Sequence, residues 1–261
     1  MLETYEATRF IDVLRTGRTR PVLLECELVD EIGVSGDTFV VKAMGLPEVE
    51  EYGLFSESLG YLVAAELGIE TPKPALVRLS DDFTDAVNPV LRPYGLALQP
   101  GVGFGSAHLG SGLVAATSDK HLDPNQTDAA MKIFCYDRLI QNVDRLERNP
   151  NCLIKNGRII AFDFNVAFSF LLLIGNLDEP WEVSKHQTES PHLFYRALKG
   201  KSLDFKPFID RVSALSDGRI HEILDAIPFG GGRWNDRILE HFRSIRENAA
   251  KLEIEFARSL L

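Results

Sequence analysis

The sequence predicts an α+β protein, with a small β-rich N-terminal lobe over residues 1–98 and a larger helical C-terminal lobe over residues 99–261. Three observations predict it. Short apolar runs bounded by Gly, Pro and polar turns fill the first third, which is strand spacing. Segments with apolar residues recurring every three or four positions dominate the second half, which is helix spacing. Between them, residues 152–162 read as an apolar hairpin that turns at Asn156-Gly157.

Taken in order, residues 1–14 are mixed in character and read as a strand followed by a short helix. Residues 16–21 form a basic, turn-rich loop, and residues 22–28 and 38–44 are apolar strands. Lys42 lies inside the second of these, between Val41 and Ala43. A lysine among apolar neighbours either snorkels to water or meets an anion. Period 2 also allows it to stand on a wet strand face. Residues 56–67 have helical periodicity through Leu59, Leu62, Val63 and Leu67, with Ser56 as the expected N-cap and Gly68 as the stop. Residues 75–79 read as a strand, and Asp81, Asp82 and Asp85 as a solvated loop. Residues 99–112 read as the linker between lobes. Residues 126–142 read as a long helix with Ala130, Ile133, Phe134, Leu139 and Ile140 on its buried side. Beyond the hairpin, residues 176–191 are loop-like, and His186 and His192, without paired metal spacing, read as loop residues. Residues 205–215, 218–227 and 235–261 are three further helices.

Asp144 and Asn149 stand five residues apart, and Asp163 follows fourteen residues later. One tight loop and one returning strand would bring the three together. A carboxylate that orients a hydroxyl, beside an amide and a second carboxylate offering hard oxygens to Mg²⁺, is the donor set of ATP-dependent phosphoryl transfer. The plain alternative is a surface hairpin with solvated acids.

The block resembles the catalytic and metal-binding motifs of the HipA-like kinases, in a signature carried here by Asn142, Asp144, Arg145, Asn149, Asn151 and Leu153. The resemblance implies a protein-kinase-like fold with ATP and Mg²⁺ as cofactors. It implies Asp144 as catalytic base, and Asn149 and Asp163 as metal ligands. It places Lys42 on the nucleotide phosphates and Glu57 as the carboxylate orienting Lys42, with Glu66 as the competing candidate. Arg18 and Arg20 would cover the phosphates from the 16–21 loop, and Phe104 and Ser106 would lie near the adenine. The activity implied is that of a serine/threonine kinase acting on a protein, and a toxin role would bring an antitoxin-like partner. Two residues depart from the pattern. Leu146 stands where many relatives carry a His after Asp-Arg, and Asn165 stands where a protein kinase has the glycine of Asp-Phe-Gly. A small-molecule phosphotransferase would use the same centre, and a nucleotide-binding scaffold without catalysis is a third reading.

Composition bounds the partners. A formal net charge of −10 argues against nonspecific nucleic-acid binding through a basic surface. The apolar run 167–174 is too short to span a bilayer. Cys26, Cys135 and Cys152 lack metal spacing and read as buried thiols in a reducing compartment. With no signal-peptide pattern at the N-terminus, a cytoplasmic location is expected. Gly200-Lys201-Ser202 mimics the end of a Walker loop, but Tyr195 occupies the place of its first glycine.

Overall fold

The computed structural model describes residues 2–15, 17–29, 36–118, 121–173, 178–186 and 191–261. Strands β1 (Glu3–Val13), β2 (Val22–Leu28), β3 (Asp37–Lys42), β4 (Pro74–Leu79) and β5 (Gly101–Ala107) close into a barrel in the order β1-β2-β3-β5-β4. All neighbours are antiparallel except the closing β1–β4 pair, which is parallel. Leu24, Cys26, Phe39, Val41, Ala75 and Val77 alternate into its core and are fully buried.

Two segments differ from the sequence expectation here. β1 continues to Val13, where a short helix was expected. Register shifts between Ala7 and Arg9 and between Phe10 and Asp12 interrupt its alternation, and this gives the segment its mixed appearance. Residues 101–107, expected in the linker, form the central strand β5 between β3 and β4. Its glycines remove the apolar period. They also let the strand approach closely, because a Cβ on Gly103 would stand 2.8 Å from the Lys42 carbonyl.

Helix α1 (Glu51–Glu66) begins five residues before Ser56, so Ser56 is not its N-cap; Glu50 takes that place. Its stop is as expected. Gly68 adopts φ +72°, and the N–H groups of Gly68 and Ile69 close back on the carbonyls of Ala65 and Ala64 at 3.2 and 2.9 Å. The acidic run read as a solvated loop is helix α2 (Asp81–Leu91), capped by the Ser80 hydroxyl, which accepts from the Phe83 N–H. The acids of its first turn suit the positive end of the helix dipole.

After a short strand β6 (Val114–Ala115), helix α3 (Pro124–Leu139) is set by a capping box. Asp123 accepts from the Gln126 N–H, and Gln126 accepts from the Asp123 N–H. The hairpin forms as expected from β7 (Cys152–Lys155) and β8 (Arg158–Ala161), and β6 adds to it as a third strand. The rest is helical: α4 (Tyr195–Leu198), α5 (Lys206–Ala214), α6 (Asp217–Asp225), α7 (Asn235–Glu247) and α8 (Ala249–Arg258). The expected single C-terminal helix breaks at Asn248, whose side chain donates to the Ser244 carbonyl at 2.9 Å and competes with the helix ladder. Among the described residues, no helix is long and apolar enough to cross a membrane. The three cysteines are buried thiols, and burial pushes Cys26 up to about 12.

Candidate active site

A cleft of about 1020 Å³ receives side chains from the barrel, from α1, and from the loops around β7 and β8. Its walls include Lys42, Glu57, Asp144, Asn149 and Asp163. Strand β3 delivers the first of these. Phe39 and Val41 point into the barrel, so Val40 and Lys42 point the other way, into the cleft. Helix α1 delivers the second, and the turn after β8 delivers Asp163.

Lys42 Nζ donates to Glu57 Oε2 at 2.8 Å and to Asp163 Oδ1 at 2.7 Å. The lysine is 8% exposed and Glu57 2% exposed, so neither charge is solvated and each depends on the other. Burial works against the ammonium, but Asp163 and Glu57 outweigh it and hold its pKa above the ordinary lysine value. Burial raises the Glu57 carboxyl to about 7, against the pull of Lys42 and with a further push from Asp163. Asp163 sits at φ +61°, a left-handed conformation for a non-glycine residue, where such strain marks functional turns.

The residues after Asp163 are fixed by one stripe of α1 at helical spacing. The Tyr52 hydroxyl donates to the Ala167 carbonyl at 2.6 Å, and Ser56 Oγ lies 2.7 Å from the carbonyls of Phe164 and Ala167. Gly60, one turn further, lies directly under Phe164. The Phe164 ring is enclosed by Tyr61, Tyr136 and the Arg145 guanidinium. Barrel, helix and loop therefore meet at a single point, with the ion triad of Lys42, Glu57 and Asp163 beside it.

The loop before β7 holds the third acid. Asn149 Nδ2 donates to Asp144 Oδ2 at 2.6 Å, and Asn151 Nδ2 approaches the same oxygen at 3.4 Å. Asp144 Oδ1 and the side-chain oxygen of Asn149 have no hydrogen-bond partner among the described residues. Beneath the loop lies a buried network absent from the sequence reading. Asp137, on α3, receives Asn142 Nδ2 on Oδ1 at 2.8 Å, and Arg145 Nε on Oδ2 at 2.6 Å. His192, expected in a loop, is 6% exposed and places Nε2 at 2.9 Å from Asp137 Oδ2. Burial alone would raise the Asp137 carboxyl, but Arg145 and His192 outweigh it and hold it below the usual carboxylate range. The available signal was a carboxylate on the apolar side of α3, three residues after Phe134.

Other expected residues separate. Arg18 and Ser106 line the cleft. Arg20 turns away and donates to the Tyr94 carbonyl at 2.8 Å. The Phe104 ring packs in the core against Tyr61, with centroids 5.0 Å apart. Glu66 pairs with Arg219 at 2.6 Å, which leaves Glu57 as the carboxylate on Lys42. Arg148, which the sequence reading did not single out, also lines the cleft. Residue 16 of the basic loop, and residues 176–177 and 187–190 of the loop-like stretch, lie outside the described residues.

No curated protein matches the sequence. The fold is similar to the crystal structure of a Helicobacter pylori proinflammatory kinase, CtkA, with a TM-score of 0.53 and 13% identity, covering 95% of this chain and 96% of that one. Residues 8–201, most of the chain and the whole of the cleft region, match the HipA-like kinase family. The chain belongs to the HipA-like kinase family.

Proposed function

We propose that this chain is an ATP- and Mg²⁺-dependent phosphotransferase on a two-lobed, protein-kinase-like fold, and that it phosphorylates serine or threonine hydroxyls of a protein. One observation carries the reading. Lys42, Glu57 and Asp163, separated by up to 121 residues, meet in one ion triad within the cleft that also holds Asp144 and Asn149. Structural ion pairs do not require an amide and a second carboxylate to face the same space; phosphoryl transfer does.

The donor set fits the metal. Among the described residues, the Asn149 side-chain oxygen and Asp163 Oδ2 have no hydrogen-bond partner, and both are hard oxygens suited to Mg²⁺. When bound there, Mg²⁺ would neutralise charge on the nucleotide phosphates. The remaining work belongs to the chain. Lys42 binds phosphate oxygens, and Glu57 keeps its ammonium aimed into the cleft. Asp144, with Oδ2 held by Asn149 and Asn151, presents Oδ1 to the acceptor hydroxyl and takes its proton as the oxygen attacks the γ-phosphorus; the bond from that phosphorus to the β,γ-bridging oxygen breaks and ADP leaves. Arg18 adds charge at the phosphate end.

A thermal melt tests the reading. A ligand that binds only the native state at a hundredfold excess over its dissociation constant stabilises by about 2.7 kcal/mol. ATP with Mg²⁺ should therefore raise Tm more than ATP with EDTA, and Asp163→Asn should abolish the difference. An equal metal response in that variant would remove Asp163 from the site.

A further inference from the structure

The Asp137 carboxylate touches both flanks of Asp144 at once. One oxygen accepts from Asn142, two residues before Asp144, and the other accepts from Arg145, the residue immediately after it. Asn142 passes the constraint on, because its side-chain oxygen accepts the Asp144 N–H at 3.3 Å. Arg145 passes it further. Its guanidinium donates to the Asn151 carbonyl, and to the Phe162 carbonyl at 3.1 Å, and Phe162 directly precedes Asp163. Arg145 is fully buried, and its fork joins these groups directly.

His192 closes the network from the far side of the loop-like stretch. The Phe194 N–H donates to its Nδ1 at 3.1 Å, so the ring proton sits on Nε2 and is donated to Asp137 Oδ2. Leu193 N–H also donates to the Arg145 carbonyl at 2.9 Å. The end of that stretch is thereby joined to the residue after Asp144.

We infer that Asp137 and Arg145, with Asn142 and His192 as their arms, are positioning residues that fix the base Asp144 and the metal ligands Asn149 and Asp163 as one rigid set. This rests on the phosphotransferase reading above. The two arms make different demands. The Asn142 arm acts on the base, while the Arg145 arm acts on the backbone beside the metal ligands.

The test measures Mn²⁺-ATP affinity by water-proton relaxation, ATP turnover, and Tm in the full chain. Asn142→Ala should lower turnover at least tenfold and leave Mn²⁺-ATP affinity within threefold of wild type. Arg145→Lys keeps a cation for Asp137 but loses the fork, and it should weaken Mn²⁺-ATP at least tenfold. His192→Gln, which can still donate to Asp137, should retain several-fold more turnover than His192→Ala at similar Tm. Folded variants with wild-type affinity and turnover would overturn the inference while leaving the phosphotransferase reading intact. Loss of Tm with no change in either functional measurement would reduce the network to a folding role. If wild type binds Mn²⁺-ATP but shows no turnover, the Arg145→Lys affinity decides the inference alone. If wild type binds no Mn²⁺-ATP, the phosphotransferase reading falls, and the inference falls with it.

Discussion

Lys42 is buried between two acids, and its charge is what keeps them compatible. Lys42→Met keeps the stem and deletes the ammonium, leaving the Glu57 and Asp163 carboxylates facing one another. Nucleotide affinity should fall at least tenfold in calorimetric titration while the circular dichroism of the fold persists; unchanged binding would reduce Lys42 to a strand lysine. Glu57 adds a pH dependence whose sign can be worked out. Its carboxyl is raised from an ordinary value near 4.5 to about 7 in the folded state. Between those values the folded chain binds more protons than the unfolded one, so the stability this group contributes is present below about 4.5 and is lost as pH rises through about 7. In Glu57→Gln that loss is absent. Tm of the variant relative to wild type should therefore climb between pH 5 and 7.5, and a flat difference would show that Glu57 is ionised throughout. At this scale the sequence was informative for the motif residues of the cleft, though not for Arg148. Asp144, Asn149, Asp163 and Lys42 all line it. Phe104 was misplaced because a strand's two faces cannot be told apart when its alternate positions are glycine.

The element that joins the two halves is α1. Its residues from Leu54 to Ala64 are buried on nearly every side, so it has little amphipathic contrast to reveal which face meets which partner. That explains why Ser56 read as a cap: the hydroxyl that suggested a helix start instead holds the Phe164 and Ala167 carbonyls. Gly60 sets how closely the helix approaches. A Cβ there would stand 2.5 Å from Phe164 Cβ, and neither backbone can give way cheaply. Gly60→Ala should cost about 1–3 kcal/mol in denaturant unfolding. It should also lower turnover, because it pushes the loop bearing Asp163 off the helix bearing Glu57. Ser80→Ala is the matched control. It removes the cap of α2 at about 1 kcal/mol and should leave nucleotide binding unchanged. Equal functional loss in both variants would mean that stability alone, not the α1 contact, governs the site. The caps of α2 and α3 were present in the sequence as Ser80 before two aspartates and as Asp123 three residues before Gln126. Neither stands out, because polar runs near turns resemble loops.

Across the whole molecule, the strands β2, β3 and β4, the hairpin and most of the larger helices were legible because each obeys its own period, whereas β5 and α2 were not. Barrel closure was not, since the parallel β1–β4 pair joins segments about seventy residues apart and no local pattern encodes it. The buried Asp137 network escaped for a related reason: its members lie on α3, the Asp144 loop and the segment before α4, and only the fold brings them together. In the proposed function this assembly holds Asp144 as a base toward an acceptor, beside a nucleotide held by other groups. The most direct measurement sets γ-labelled ATP transfer beside calorimetric Mg²⁺-ATP affinity in Asp144→Ala. The expected result is affinity within a few-fold of wild type and a loss of transfer on the order of 10²–10⁴, the usual contribution of a positioned base. Full transfer activity in Asp144→Ala would contradict it and return the Asp144–Asn149 loop to the status of a structural turn.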